Sequence, residues 1–169
     1  MTEVTVRPIQ VWVRTAGVLD FSRSVVTAFV PGGDAAFVRA GQRVRAFSPE
    51  SRSRMYQARV AAVAPRGAAG AEVRATLLGE SSEASSRFVL EIVTERGDFL
   101  SVPNEAIIET GGKRIVYVLQ PDGGYAPRDV GTGIQGELFT QVLDGLKAGE
   151  QVVTIGSFFI DAEHKLKGP

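Results

Sequence analysis

The chain predicts a mainly β protein with a few short helical turns, and three observations carry that class. No segment holds a helical period of apolar residues for as long as ten positions, whereas apolar and polar residues alternate along much of the chain. The alternating runs are short and punctuated by Gly, Pro, Asp and Ser, the residues that close turns. One turn signature also occurs twice. "VRAGQRV" (Val38–Val44) and "LKAGEQV" (Leu146–Val152) both read apolar residue, cation, Ala-Gly, Gln or Glu, any residue, Val. A glycine able to take positive φ closes such a turn and lets the chain enter a strand, so the repetition points to two similarly built β modules.

The elements follow in order. "EVTVRPIQVWVRTAGVL" alternates over Val4, Val6, Val11 and Val13 and reads as one long strand interrupted at Pro8. "SRSVVTAFVPGGDAAFVRAGQRVRAFSP" gives a strand ending near Val30, a turn at Pro31–Gly33, a helical turn opened by Asp34 and closed by Gly41, and a strand through Val44 and Phe47. "RMYQARVAAVAPRG" is a strand with Tyr56, Ala58, Val60 and Ala62 on one face, stopped at Pro65–Gly67. Two further strands, around Val73–Leu78 and Phe88–Thr94, flank the polar linker "GESSEASS". The "RGD" that follows at Arg96–Asp98 reads as a hairpin turn rather than an integrin motif. From Val102 to Val130 the pattern is turn, strand, hairpin. Strands at "ELFTQVL" and "QVVTIG" come next, joined by "DGLKAGE", and the tail is "SFFIDAEHKLKGP".

At 169 residues the chain is long enough for one ordinary domain or two small ones. Hydrophobic residues at 44% and charged residues at 22% belong to a soluble globular composition, and 19 acidic against 19 basic residues leave no bulk charge favouring nucleic acid or an anionic membrane. With no cysteine there are no disulfides, thiolate metal sites or thiol nucleophiles, a composition that suits the periplasm as well as the cytosol. No run approaches the roughly 18 apolar residues that span a bilayer. The start "MTEVTVRPIQVWV" has no signal-peptide pattern, so an exported form is expected to carry its signal upstream.

The search for chemistry returns no catalytic, cofactor or metal residue. His164 is the sole histidine, in a charged tail, and one His without Cys builds neither a triad nor a His-rich metal site. Soft-metal binding through thioethers needs clustered methionines, and only Met1 and Met55 are present. Glu80 and Glu83 fall in the Ser-rich linker, Glu91 and Glu95 share one solvated strand face, and Asp161 and Glu163 sit in the tail; no pair has the pocket an acid/base dyad needs. "GTGIQG" spells G-x-G-x-x-G at Gly131, Gly133 and Gly136, but strands flank it on both sides, which excludes the strand-to-helix setting of a dinucleotide loop. The aromatic residues are scattered rather than interleaved with basic ones, unlike a nucleic-acid platform. The residues by themselves therefore indicate a non-enzymatic β protein that works by contact.

A family resemblance gives that reading content. "LSVPNEAIIETGGKRIVYVLQPDGGYAPRDVGTG" and "VLDGLKAGEQVVTIGSFFIDAEHKLKG" resemble the C-terminal region of HlyD-like periplasmic adaptor subunits, or membrane fusion proteins, of tripartite resistance-nodulation-division (RND) efflux pumps. The branch most similar is the heavy-metal, CusB-like one. Its "VP-x-x-A-V-I", "V-F-V", "F-x-P-R-x-V", "G-L-x-x-G-x-x-V" and "F-L-I-D-x-E" patterns meet Val102–Ile108, Val116–Val118, Tyr125–Val130, Gly145–Val153 and Phe159–Glu163. Upstream, "VVTAFVPGGDAAFVRAGQRVRAFSPESRSRMYQARVAAVAP" resembles the family's β-barrel domain, and "VTVRPIQVWVRTAGVLDF" the strand that returns to the membrane-proximal domain.

The resemblance implies a β-barrel domain over residues 21–99 inserted in a discontinuous membrane-proximal β domain of residues 1–20 and 100–169. It implies a non-catalytic adaptor in the periplasm, associated with the inner membrane, that links an RND transporter to the rest of a pump exporting heavy-metal cations and packs against copies of itself in a ring. The partner contacts expected are the hairpin tip, Asp122, Gly123 and Gly124, with Tyr125 and Arg128; Phe158 and Phe159 are expected to pack. Two departures stand out. The lipoyl and helical-hairpin segments that the family carries between positions matching Phe21 and Val25 are absent, so an outer-membrane channel is a partner only where a native protein has that hairpin. The family's N-terminal metal-binding methionines are absent too, and no metal residue carries over. The alternative is a stand-alone accessory or regulatory β module that binds a transporter or a small ligand without forming the channel.

Overall fold

The computed structural model describes residues 1–154. Strands take up 63% of the described residues and helical turns 8%, which makes the class mainly β, as the alternation and punctuation of the sequence predict. The chain divides into two compact units, Val11–Glu95 and Met1–Gln10 with Arg96–Pro169. Two long strands, β2 (Thr5–Leu19) and β7 (Arg87–Pro103), run through both divisions.

The Val11–Glu95 unit is a closed barrel of six strands. Beyond β2 and β7 it comprises β3 (Val25–Pro31), β4 (Arg43–Ser48), β5 (Ser51–Pro65) and β6 (Gly70–Leu77). Neighbours run β7, β2, β3, β6, β5, β4, and the β4–β7 pairing, with Val44 opposite Ile92, closes the ring. Alternation explains the interior. Val26, Ala28 and Val30 of β3, Val73, Ala75 and Leu77 of β6, Val44 and Ala46 of β4, and Phe88, Leu90 and Ile92 of β7 all point inward and form one buried cluster. Small alanines facing larger valines, leucines and a phenylalanine suit the interior of a narrow barrel. Burying these side chains supplies the driving force, about 25 cal/mol per Å² of apolar surface.

Two expectations change here. On β5 the register shifts between Val60 and Ala62, so Ala62 turns out to solvent and Val63 packs on the core instead. The bulge inserts one residue and reverses the alternation after Val60. The "RGD" stretch is not a turn: Arg96–Asp98 lies inside the continuous β7. Gly97 takes φ +119 there, a local distortion that glycine allows without ending the strand.

The other unit contains β1 (Thr2–Glu3), β8 (Ile108–Thr110), β9 (Lys113–Leu119), β10 (Tyr125–Asp129), β11 (Gly131–Gln135), β12 (Phe139–Asp144) and β13 (Gln151–Val152). One sheet runs β1, β13, β9, β10, with β8 also on β9; β11 and β12 continue onto β7. The "GTGIQ" run is thus itself a strand. Val4, Val102, Ala106, Val116, Val118, Val130, Val142, Leu146 and Val152 make the core. In β9 four consecutive residues, Ile115 to Val118, are buried, the pattern of a strand covered on both faces.

The turn predicted after Val102 is a short 3₁₀ segment, Asn104–Ala106, that delivers Ala106 into this core. Asn104 fixes it: its amide donates to the Gly136 and Glu137 carbonyls, and its Oδ1 accepts from Thr140 Oγ at 2.8 Å. Among the described residues β10 pairs only with β9, where Pro127 stands opposite Tyr117. Because Gln120 donates to the Gly124 carbonyl and Val130 to the Arg114 carbonyl, the parity of the ladder points position 127 away from β9. The donor that proline lacks is therefore one that would face outward.

Candidate interaction surface

The hairpin of β9 and β10 brings most of the predicted contact residues together at its tip. Gln120 and Gly124 close the turn with a 2.8 Å backbone bond, Gly123 donates to the Gln120 carbonyl, and Gly123 sits at φ +84. Asp122 Oδ1 accepts from the Gly124 N–H at 2.9 Å, an Asx-type contact that stiffens the apex. Tyr125 begins the returning strand with 38% of its surface exposed and its hydroxyl against Met1 Sδ. The tip thus presents a carboxylate, two glycines and a phenol on a short, rigid turn.

Arg128, three residues along β10, is held elsewhere. Its Nη1 donates to Glu150 Oε1 at 2.6 Å and to the Gly145 carbonyl at 3.3 Å. Glu150 belongs to the second copy of the repeated turn, and the two copies use the same hydrogen bonds. In the first, Gly41 donates to Val60 O (2.7 Å) and Val60 to Gln42 O (3.0 Å); in the second, Gly149 donates to Val4 O (2.8 Å) and Val4 to Glu150 O (2.8 Å). The side chains match too: Gln42 Oε1 accepts from Arg39 N at 2.9 Å and Glu150 Oε2 from Lys147 N at 2.7 Å. Gly41 and Gly149 have φ +90 and +92, where a Cβ is strained. Partial burial pushes the Glu150 carboxyl up. The Arg128 hydrogen bond, the Lys147 N–H and the two nearby positive charges outweigh it and hold the group below its ordinary value.

Two polar clusters on the barrel unit escape sequence reasoning. Glu91, read as solvated alongside Glu95, is buried: Arg14 reaches Oε1 at 3.0 Å and Arg45 reaches Oε2 at 2.9 Å, leaving its side chain 6% exposed. The Arg45 guanidinium also lies over the Trp12 ring, 4.1 Å from its centroid. These partners are far apart in sequence, and only the unusual density of arginines hints at them. The Ser-rich linker forms the second cluster. Tyr56 OH meets Ser82 Oγ and donates to Glu83 Oε1 at 3.3 Å, while Arg54 donates to Ser82 Oγ. Desolvation raises the Tyr56 phenol, but the hydrogen bonds from Ser82, Ser81 and Arg54 lower it more.

Between β2 and β3 the chain turns in the few residues after Asp20. Asp20 Oδ1 accepts from Ser22 Oγ at 2.7 Å and from the backbone N–H groups of Ser24 and Val25; the Ser22 bond is the main cause that keeps its carboxyl below the usual range. Among the described residues no three His, Cys, Asp or Glu side chains converge on a metal-sized site. A groove of about 330 Å³ on the Met1–Gln10 and Arg96–Pro169 unit is lined by Asn104, Ile107, Glu109, Arg114, Gln135 and Thr140. Glu109 and Arg114 there are ion-paired at 2.9 Å, and Asn104 and Thr140 are bonded to each other at the turn, so these four polar groups are already committed. Among the described residues no helix is long and apolar enough to cross a membrane. Phe158, Phe159, Asp161, Glu163 and His164 lie outside the described residues.

Comparison with known proteins follows the C-terminal stretch. Residues 100–161 match the family model described as the CzcB C-terminal circularly permuted SH3-like domain. The chain is similar to the cation efflux system protein CusB of Escherichia coli (strain K12), 33% identical over 79 residues, which are 47% of this chain and 19% of CusB. It is similar also to the nickel and cobalt resistance protein CnrB of Cupriavidus metallidurans, 32% identical over 114 residues, 63% of this chain and 28% of CnrB. The crystal structure of MacA from Actinobacillus actinomycetemcomitans aligns with 80% of this chain and 43% of that one at 23% identity and a TM-score of 0.48. The matched segments span less than a third of CusB and CnrB. By these matches the C-terminal portion of the chain is similar to the CzcB C-terminal domain, and the chain has relatives among cation efflux and nickel and cobalt resistance proteins.

Proposed function

We propose that this chain is a non-catalytic adaptor module of an RND-type efflux system that exports heavy-metal cations. The observation that carries the reading is the family match over residues 100–161, which falls within one compact unit and takes in the hairpin and the second Gly149 turn. In this reading the protein works in the periplasm beside the inner membrane, docks on the transporter, and packs against copies of itself in a ring. Residues 1–20 and 100–169 act as the membrane-proximal domain and residues 21–99 as its inserted barrel. The stiff tip at Asp122, Gly123 and Gly124, with Tyr125, touches the transporter. Arg128 supports that surface from below through Glu150. Shape and hydrogen-bonding groups on rigid sheets suit docking, because little conformational entropy remains to be lost on binding.

The test is co-purification with an RND transporter encoded beside it, comparing wild type with a variant in which Asp122 and Tyr125 are both alanine. Retention by wild type and loss by the variant support the reading; a protein that never associates with the transporter overturns it. One observation favours a second reading, an accessory module that does not build the channel: the tight Asp20-centred turn stands where adaptors of this family carry the hairpin. Recovery of the transporter without any outer-membrane channel would select it.

A further inference from the structure

We propose that the outer wall of β4, β5 and β6 is an arginine face that docks the acidic groove bounded by Glu105 and Glu137 on a second copy of this chain. This deepens the self-association part of the reading above and rests on it for the choice of a second copy.

The charge is divided between the two units in opposite senses. Residues 11–95 hold eleven arginines, no lysine and eight acidic residues, a net of +3; the remainder holds eight cations and eleven acidic residues, a net of −3. The two units thus carry opposite net charges, the complementarity that head-to-tail contact between copies uses. On the barrel the arginines are concentrated. Arg43 on β4 stands directly opposite Arg59 on β5, both exposed, and like charges in that position repel. Arg45 lies two residues along β4 on the same face but is spent on Glu91, and Arg74 is exposed on β6 beyond β5, two residues from Glu72, which is paired with Arg66. Arg59 is anchored by its Nη1 on the Gly41 carbonyl at 3.0 Å, which fixes the guanidinium in place. A wall that keeps a repulsive cross-strand pair in a fixed geometry gains from an anionic partner, and arginine forks suit carboxylates.

The other surface is a groove of about 450 Å³. Glu105 and Glu137 line it and are exposed, and Leu138 beside them is 70% exposed. Among the described residues its one cation is Arg7, whose guanidinium is turned onto the Phe139 ring at 4.3 Å and onto the Glu3 carbonyl. Two carboxylates flanking an exposed leucine offer what the arginine wall lacks. Because wall and groove are different surfaces, the contact is heterologous, and repetition of it generates a ring or a filament.

The test is sedimentation velocity of the full chain across sodium chloride from about 50 to about 500 mM, a range over which screening removes such contacts. Wild type is expected to associate at low salt and dissociate at high salt. R43E/R59E and E105K/E137K are each expected to weaken association at least tenfold, since wall and groove then carry the same sign. An equimolar mixture of the two double variants restores it, because each wall then meets an opposite groove. R43E alone leaves an opposite-charge pair with Arg59 and guards against misfolding, and circular dichroism checks each variant. Association that ignores these reversals overturns the proposal, as does wild type that stays monomeric at low salt. Salt-sensitive binding to vesicles of phosphatidylglycerol and phosphatidylcholine without self-association overturns it too. Any of these outcomes leaves transporter binding, measured separately, to decide the adaptor reading.

Discussion

Gln42 and Glu150 occupy the same position in two copies of one turn, each accepting a backbone N–H from the cation three residues before it, Arg39 or Lys147. They differ only in the second side-chain atom. Gln42 Nε2 donates to the Phe37 carbonyl at 2.8 Å, whereas Glu150 Oε1 accepts from Arg128. One copy is thereby closed within its own turn and the other is tied to β10.

Both turns depend on a glycine at positive φ. Gly41→Ala and Gly149→Ala are each expected to cost about 1 to 2 kcal/mol, the strain of an L-residue in that region. The loss should be local. Hydrogen exchange is expected to accelerate at the Val60 amide for the first variant and at the Val4 amide for the second, each being the partner of that turn.

The Glu150 carboxyl gives unit stability a defined acid limb. Its folded value is depressed below 4.5, so the Arg128 pair contributes fully above that pH and is lost as pH falls through the folded value. Thermal unfolding of wild type and Glu150→Gln is expected to differ most near neutral pH, with wild type the more stable. The gap should close in acid, once the carboxyl is protonated. A gap that is constant with pH would contradict the assignment.

Trp12 is the only tryptophan, which makes the buried Glu91 cluster observable. Glu91→Gln removes the charge that draws Arg45 over the indole and is expected to cost about 2 kcal/mol, the range for hydrogen bonds to charged groups. Trp12 fluorescence should change intensity and position in the folded protein. Arg14→Ala, which leaves the Arg45 pair in place, is expected to change it much less.

Ser101 Oγ is buried with no hydrogen-bond partner among the described residues. Removing a desolvated hydroxyl relieves its cost, so Ser101→Ala is expected to be neutral or stabilising by up to about 1 kcal/mol in urea denaturation.

What was legible in the sequence was local. Alternation at Val26, Ala28 and Val30 was enough to place β3, and the repeated Ala-Gly signature was enough to place two turns whose hydrogen bonds coincide. The hairpin tip was legible because Asp122, Gly123 and Gly124 are turn residues acting within their own turn. Glu91 was misread because what covers it comes from Arg14 and Arg45, which the barrel brings from 77 and 46 positions away. Arg96–Asp98 was misread because glycine's turn preference is a propensity, and pairing along β7 overrides it. The bulge after Val60 left no mark in a run of valines and alanines that suits either face.

Pro127 has a consequence for life at high occupancy. Where many copies gather on one assembly, an open strand invites a neighbour's backbone to pair with it, and such templating ends in swapped or fibrous species. A missing donor in the middle of β10 breaks that template while leaving the side chains on either side of it readable. Among the described residues the proline acts as a gatekeeper on this edge, hindering a second chain from extending the sheet.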